Sequence, residues 1–369
     1  MASGVSISPH SRSLFRSAST HPTAIGAKRP GVLAFTATAA IACFLVSLAC
    51  CELVRRVAIQ RALLDRANER SLHTTPTPRL GGVAIVVTSI GAGLLSWNTG
   101  SPKLHALVGV CFALALVGLR DDLRPLPAVL RLLVQIALAG VFLWLVGTPP
   151  LLLAPGITLP VPPMITNVLL VVWVVGVLNI YNFMDGMDGL AGSQAVSAAG
   201  TFAVVLVAAT GGLSEFALFV GAASLGFLAH NAPPARMFMG DAGSTFLGMT
   251  FAALAILAMF EGVPIAQSAL VIAPFLLDGT FTIIRRALRG ERIWTAHRCH
   301  LYQRAVQTGL GHRDVLLVYL AWLGVCAAGA LLASHGSGAL AGAWAVALLG
   351  LLLVWRWVAS RESERRDIA

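Results

Sequence analysis

The chain is dominated by apolar segments about as long as a lipid bilayer is thick. A helix needs about 20 mainly apolar residues to cross the hydrocarbon layer, and by that standard the sequence contains about eleven candidates. They begin near residues 31, 80, 104, 126, 164, 192, 214, 244, 264, 314 and 338. Charged residues make up 11% of the chain, against about 25% in soluble domains. The sequence therefore predicts an all-α polytopic membrane protein with about eleven transmembrane helices.

The distribution of arginine predicts which way the protein faces. Basic side chains concentrate in residues 52–79, 283–313 and 357–369, whereas the opposite connections, such as residues 148–163, contain no Lys or Arg. Lys and Arg accumulate on the cytoplasmic side of membrane proteins. We therefore expect these three regions, with the C-terminus, on the cytoplasmic side of the membrane, and an odd number of spans would leave the N-terminus on the opposite side.

Three regions are predicted along the chain: an N-terminal tail at residues 1–30, an integral-membrane domain at 31–358 and a basic cytoplasmic tail at 359–369. The first 30 residues lack acids and contain Arg12, Arg16, Lys28 and Arg29. The basic residues argue against export, so this segment fits the predicted orientation less well. A transit peptide has that composition, and a disordered tail or a start codon placed too far upstream are the alternatives. The role of this segment is left unassigned.

The scarce carboxylates gather at the ends of apolar segments. Of the 16 acidic residues, five lie in three short motifs: Asp121, Asp122, Asp185, Asp188 and Asp241. All three motifs, and a fourth around His297, fall on the predicted cytoplasmic side. Because charges beside lipid are expensive, this placement indicates a functional site on that face.

Asp121 and Asp122 follow one apolar run and precede a helix that carries Arg131 and Gln135. These last two residues are four apart, so they form a polar stripe on one helix face. Adjacent carboxylates repel each other and usually persist because a cation or a proton lies between them. The alternative is a solvated pair that caps a helix.

Asn182, Asp185 and Asp188 recur every three residues. If the preceding helix continues through them, all three side chains lie on one face. Glycines at 186 and 189 would let the backbone approach a ligand closely. Capping of a turn explains one such Asp-Gly pair but not three polar side chains in register.

The two remaining motifs are Phe238–Ser244 and His297–Gln303. Asp241 lies between two glycines at a predicted helix start, which suits a metal-bound anion, although it could simply cap the helix. Phe238 is equally compatible with the core and with stacking on a flat base. His297, Arg298 and His300 are natural donors to a diphosphate, and the alternative is an ordinary basic surface loop.

These motifs, in this order, resemble those of the polyprenyl-phosphate N-acetylhexosamine-1-phosphate transferases. The resemblance covers roughly residues 31–360 and is carried by Asn182–Ala191 (NFMDGMDGLA) and Met239–Ser244 (MGDAGS). Pro76–Gly82 (PTPRLGG) and His297–Gln303 (HRCHLYQ) are more similar to the O-antigen initiating branch than to the phospho-MurNAc-pentapeptide translocase, a related member of the same superfamily.

The resemblance implies transfer of a sugar-1-phosphate from a UDP-N-acetylhexosamine to undecaprenyl phosphate, with release of UMP and with Mg²⁺, or Mn²⁺, as cofactor. It implies a location in the bacterial inner membrane with the N-terminus in the periplasm, contact with membrane lipid and none with nucleic acid. It is also compatible with a homodimer. Asp241 would be the metal ligand. Asn182, Asp185 and Phe238 would hold the uridine, with Asp188 supporting them and Arg131 as a further substrate contact. Asp121 and Asp122 would serve the lipid phosphate, and His297, Arg298 and His300 the diphosphate.

For the aspartate pair, elementary acid–base chemistry favours orientation over base catalysis. A carboxylate with a pKa of about 4 is a poor base toward a phosphate whose second pKa is about 6. That phosphate is already mostly dianionic at neutral pH. We therefore expect Asp121 and Asp122 chiefly to orient the nucleophile, the metal or a basic partner.

Two rival classes are a membrane transporter and an intramembrane aspartyl protease. Transporters place polar clusters near the middle of the membrane, whereas here the clusters lie at helix ends. The protease hallmark places a glycine two residues before the Gly-Asp pair, and this chain has Phe238 there.

Overall fold

The computed structural model describes residues 30–65, 76–95, 100–209, 211–292 and 297–368. The prediction for the N-terminal tail therefore lies outside the described residues, apart from Pro30, which begins the first helix. The helices are α1 Pro30–Gln60, α2 Gly82–Leu95, α3 Pro102–Leu123, α4 Ala128–Val146, α5 Pro163–Phe183, α6 Leu190–Val205, α7 Leu213–Asn231, α8 Asp241–Phe260, α9 Ile265–Leu270, α10 Ala273–Leu288, α11 Leu301–Gln307, α12 His312–Leu332 and α13 Ser337–Ile368. Helix α13 carries the predicted basic tail as its own continuation.

The prediction of an all-α polytopic membrane fold is confirmed. Within the described ranges, eight helices are long and apolar enough to cross a membrane, namely α1, α3, α4, α5, α7, α8, α12 and α13. Helices α2 and α6 are shorter and apolar. The segment predicted to begin near residue 264 is divided between α9 and α10. The number of crossings stays a prediction.

The division between α9 and α10 has a local cause. Pro274 lies in the first turn of α10, and a proline ring clashes with the carbonyl four residues earlier in a continuous helix. The break frees a backbone carbonyl at Val271, which accepts a hydrogen bond from Gln194 Nε2 at 3.1 Å. A polar side chain of α6 thus satisfies a group that lipid could not.

Helix α8 is the centre of the bundle. Over an 18-residue stretch of α8, 89% of the residues are buried, against 11% in α1 and 17% in α13. Small residues permit this packing: a Cβ added at Gly243 of α8 would lie 2.5 Å from the Cα of Gly82 in α2. A Cβ at Gly248 would lie 2.8 Å from the Cα of Leu178 in α5. Such close backbone contact is typical of membrane helix interfaces.

Two short antiparallel strand pairs complete the described fold. Strands β1 (Leu64–Asp65) and β2 (Thr77–Pro78) pair near the start of α2, and β3 (Leu151–Ala154) and β4 (Ile157–Leu159) connect α4 to α5. The β3–β4 hairpin lies at one end of the bundle. At the other end, α3 and α5 finish and α4 and α8 begin, so these four helix ends bring the polar motifs together.

Candidate active site

Asp122 ties the end of α3 to the beginning of α8. Its Oδ1 accepts the backbone N–H of Asp241 at 2.9 Å, and its Oδ2 accepts that of Ala242 at 3.0 Å. Arg79 Nη2 lies 3.3 Å from the same carboxylate, whose side chain is fully buried. The first N–H groups of a helix lack partners within the helix and carry partial positive charge. Asp122 therefore caps α8 and fixes where Asp241 stands.

Asp121 has different partners. Its Oδ2 accepts a hydrogen bond from Arg131 Nη1 at 2.5 Å, and its Oδ1 accepts the N–H of Leu126 at 2.5 Å. The same Arg131 nitrogen lies 3.3 Å from Asp241 Oδ2. One guanidinium thus bridges two carboxylates from α3 and α8. The adjacent acids are accommodated by separate partners on separate helices.

A row of amides extends the site along α5. Asn182 Nδ2 donates to Asp241 Oδ1 at 2.9 Å and to Ser244 Oγ at 2.8 Å. One turn earlier, Asn179 Nδ2 donates to Gln135 Oε1 at 2.8 Å. The predicted polar stripe of α4 therefore faces a matching stripe on α5, and both are oriented by these contacts.

These groups line a cavity of about 340 Å³. Six of the predicted site residues line it: Asp121, Arg131, Asn182, Asp241, His297 and His300. Its remaining walls come from apolar residues of α3 and α4, together with Phe183, Thr245 and the two amides Gln135 and Asn179. The cavity therefore combines carboxylates, a guanidinium and imidazoles with an apolar side.

The other predicted residues lie around this cavity. Asp122, near the end of α3, does not line the cavity and contacts the start of α8. Arg298 is half-buried, and its backbone carbonyl accepts a hydrogen bond from Gln307. Phe238 is half-buried, and its backbone pairs with that of Pro78 and Gly81. Their predicted contacts with a substrate stay predictions.

The expectation that Asn182, Asp185 and Asp188 share one helix face is wrong. Helix α5 ends at Phe183, and α6 begins only after Gly189, whose φ is +75°. Asp188 contacts other elements: its Oδ2 accepts the N–H of Ala235 at 2.9 Å, and its Oδ1 lies 3.2 Å from His312 Nδ1. Its predicted supporting role stays a prediction.

Asp185 lies close enough to Asp241 and Asp122 to interact with their charges. The residue as a whole is partly exposed in the turn after α5. Burial, reinforced by the negative charges of Asp241 and Asp122, raises the pKa of Asp185 well above its usual range. Positive charge brought by a ligand or an ion would favour its ionised form.

His297 and His300 lie close together although neither is in a helix. Both residues precede α11, which begins only at Leu301. The two rings nevertheless lie 5.0 Å apart, and both are about 6 Å from the ring of Phe183. Burial, followed by the nearby charges of His300 and Arg286, lowers the pKa of His297 to about 4. His297 is therefore a neutral imidazole at physiological pH.

Asp278 is the residue that the sequence analysis missed. Its buried carboxylate accepts the N–H of Leu301 at 2.9 Å and the hydroxyl of Tyr319 at 2.5 Å. It also lies 3.5 Å from His300 Nδ1. A lone acid within the apolar run Phe275–Phe281 was the signal that could have found it. Asp278 holds the loop that carries both histidines.

The oxygen donors of the site suit a hard divalent cation. Across the described residues there is no group of three or more His, Cys, Asp or Glu side chains placed to hold a metal by themselves. Mg²⁺ is commonly held by one or two carboxylates together with substrate phosphates and water. Asp241, with Asp121 bridged to it, fits that mode of binding.

Comparison with known proteins agrees with this arrangement. The profile of glycosyl transferase family 4 matches residues 104–259, which span the two aspartates, the Asn182–Asp188 motif and Asp241. A probable undecaprenyl-phosphate N-acetylglucosaminyl 1-phosphate transferase of Bacillus subtilis (strain 168) is 33% identical, over 73% of this chain and 76% of its own length.

More distant members are also similar. The decaprenyl-phosphate N-acetylglucosaminephosphotransferase of Mycobacterium tuberculosis (strain ATCC 25618 / H37Rv) is 31% identical over 75% of this chain and 77% of its own. A phospho-N-acetylmuramoyl-pentapeptide-transferase of Gloeothece citriformis (strain PCC 7424) is 29% identical over 63% and 69%. The chain is therefore an integral membrane member of glycosyl transferase family 4, an enzyme of the sugar-phosphate transferase class.

Proposed function

We propose that the enzyme transfers an N-acetylhexosamine-1-phosphate from a UDP-sugar to undecaprenyl phosphate, releasing UMP and starting a lipid-linked cell-surface glycan such as an O-antigen or a related polysaccharide. One observation carries the proposal. Asp121, Arg131, Asn182 and Asp241, from four different helices, converge by direct contacts on a single cavity at the end of the bundle. The names of the relatives make N-acetylglucosamine the first sugar to test.

The reaction is a phosphoryl transfer. An oxygen of the lipid phosphate attacks the sugar-bearing phosphorus, and the bond between that phosphorus and the bridging oxygen breaks, so that the electron pair leaves with UMP. The difficulty is the meeting of two anions, which positive charge in a positioned site relieves. Arg131 supplies such a charge, held in place by Asp121 and Asp241.

The lipid phosphate needs no strong base. Its second pKa is about 6, so it is mostly dianionic at neutral pH. Asp122 is committed to the N–H groups of α8, which supports a positioning role for that residue. Neutral His297 can donate a hydrogen bond to a phosphate oxygen without adding net charge.

Mg²⁺, or Mn²⁺, is proposed as the cofactor, held by Asp241 together with the substrate diphosphate. A bound divalent ion would supply neutralisation of the developing charge on the diphosphate. Asn182 would keep the Asp241 carboxylate oriented for this task, since it already donates to Oδ1.

The test is a direct assay with purified protein, undecaprenyl phosphate and UDP-N-acetylglucosamine, in which UMP and the lipid-linked sugar are both quantified. Both products should appear in equal amounts, vanish with EDTA and return with Mg²⁺ or Mn²⁺. Asp241→Asn should lose about 10²-fold or more in kcat, because the lost carboxylate charge acts in the transfer step. UDP-N-acetylgalactosamine in parallel would define the sugar.

Two outcomes would overturn the proposal. Metal-independent turnover, or full activity of Asp241→Asn, would remove the metal assignment. UMP release without formation of a lipid-linked sugar would rule out undecaprenyl phosphate as the acceptor. Sealed vesicles that accumulate a UDP-sugar without releasing UMP would instead favour a transporter.

A further inference from the structure

A second, larger recess lies between α10, α11 and α13. It is a groove of about 950 Å³, and none of its lining residues lines the cavity of the candidate active site. One wall is apolar and the other is cationic. Its lining includes Ile284, Arg285, Leu288, Arg289, Arg304 and Trp355.

The apolar wall faces the surroundings of the bundle. Phe281, Ile284 and Leu288 are spaced three and four apart, so they share one face of α10. Ile284 is 53% exposed and Leu288 84% exposed, which in a membrane protein indicates contact with lipid chains. Trp355 of α13 is also exposed, and tryptophan is enriched where hydrocarbon meets headgroups.

The cationic wall carries one sign of charge. Arg285, Arg289, Arg304 and Arg365 line the groove with a single acid, Glu362. Glu362 is engaged by Arg304, whose Nε and Nη2 donate to its two oxygens at 2.8 and 2.7 Å. The groove therefore keeps a net positive charge.

Arg304 provides an independent indication of a ligand. Its side chain is 9% exposed, and its Nη1 is buried without a hydrogen-bond partner among the described residues. Because Nε and Nη2 face Glu362, Nη1 occupies the other end of the guanidinium. A buried donor left unpaired is costly, and an anionic oxygen would satisfy it.

We propose that this groove binds the headgroup of an anionic phospholipid. The phosphate would lie against Arg285, Arg289 and Arg304, and an acyl chain would cover Ile284 and Leu288. Guanidinium groups pair well with phosphate oxygens, and basic clusters beside membrane helices attract anionic lipid. The volume accommodates a headgroup with the first part of its chains.

A second copy of the chain is the less favoured occupant. In a two-fold symmetric contact the same surface meets itself, so the arginines of one groove would oppose those of the other. Unpaired like charges in such a contact are repulsive. Lipid phosphate removes that repulsion, and the adjacent exposed apolar side chains place lipid next to the groove.

The test measures lipid retained by the purified protein. Wild type, Arg285→Gln/Arg289→Gln and the control Arg356→Gln/Arg361→Gln are incubated in detergent with equimolar dioleoyl phosphatidylglycerol and dioleoyl phosphatidylcholine, and bound lipids are counted by native mass spectrometry. The control removes the same charge from exposed positions of α13 outside the groove. Thermal unfolding in detergent checks that each variant is folded.

Wild type and control should retain phosphatidylglycerol in preference to phosphatidylcholine. The groove variant should retain about fivefold less phosphatidylglycerol for each arginine removed. Equal retention of both lipids by wild type, or an equal loss in the control, would overturn the site. Displacement of phosphatidylglycerol by equimolar undecaprenyl phosphate would also overturn it, because the groove would then belong to the substrate. A changed oligomeric state in the groove variant, with unchanged lipid retention, would assign the groove to a second copy of the chain.

Discussion

At the scale of single residues, the two adjacent aspartates have separate tasks. Asp121 holds Arg131 at the cavity, whereas Asp122 is buried against the first N–H groups of α8. A sequence places them side by side but gives no indication that their carboxylates serve different helices. The bond from Asp122 to Asp241 joins residues 119 positions apart, which local patterns cannot predict.

The role of Asp122 predicts how its amide variant fails. In Asp122→Asn one acceptor oxygen is replaced by an NH₂ group that faces an N–H of α8, so the start of that helix shifts. We expect kcat/KM to fall about 10²-fold, as positional errors commonly cause, at every pH tested. Asp314→Asn, at an exposed position in the first turn of α12, is the matched control.

A pH–rate series decides between orientation and base catalysis for Asp122. Raising the pH should not restore the variant, since a deprotonated lipid phosphate does not repair a displaced helix. Recovery to wild-type rates at high pH would instead identify Asp122 as a base.

Asp278 leads to a prediction about substrate affinity. Asp278→Asn keeps one acceptor but loses the charge that holds Leu301 and Tyr319, so the loop with His297 and His300 should loosen. We expect the KM for the UDP-sugar to rise about tenfold, with a smaller change in kcat. The free energy of unfolding should fall by about 1–3 kcal/mol. Steady-state kinetics and unfolding in detergent measure the two effects.

Tyr319→Phe separates structure from positioning. It removes one donor to Asp278 and leaves the loop N–H bonds in place, so stability should fall by about 1 kcal/mol with KM nearly unchanged. If Asp278→Asn were equally destabilised with an unchanged KM, its carboxylate would serve the fold alone.

At the scale of elements, the site depends on how closely α3 and α8 approach. A Cβ added at Gly118 would lie 2.5 Å from the backbone oxygen of Asp241, whereas one at Gly109 of the same helix meets nothing within 4 Å. Alanine is a better helix former than glycine by about 1 kcal/mol. A loss of stability or activity on replacing either glycine by alanine would therefore have a steric cause.

This difference makes a matched pair of variants. Gly118→Ala should separate the two helices at the site and lower kcat/KM at least about tenfold, with reduced stability. Gly109→Ala should retain wild-type activity and stability. Assays of both in the same membrane preparation provide the check, and an active Gly118→Ala would show that the site tolerates a wider spacing.

The positions of helices were more predictable than their ends. Apolar runs predicted spans beginning near residues 104 and 244, and α3 and α8 begin at Pro102 and Asp241. The end of α5 was not predictable, because it involves Tyr302, whose hydroxyl donates to the carbonyl of Phe183 at 2.9 Å. Gly186 then gives Tyr302 room, since a Cβ there would lie against its hydroxyl. Such tertiary contacts override the three-residue period of the acids.

At the scale of the whole molecule, the arginine bias predicts an orientation that labelling can measure. In a background without the native cysteines, Ser360→Cys on α13 and Thr158→Cys on β4 introduce exposed thiols on opposite sides of the predicted membrane. A membrane-impermeant maleimide should label Thr158→Cys in intact spheroplasts and Ser360→Cys only after lysis. The reverse pattern would place the candidate active site outside the cell.

The burial of α8 affects how the enzyme responds to bilayer thickness. Hydrophobic mismatch acts on helices that touch lipid, which tilt or deform the bilayer to match its thickness. Helices α1 and α13 are mostly exposed, while α8 is almost wholly enclosed by protein. Longer or shorter acyl chains should therefore tilt the outer helices and alter stability, while Asp241, at the start of an enclosed helix, keeps its place.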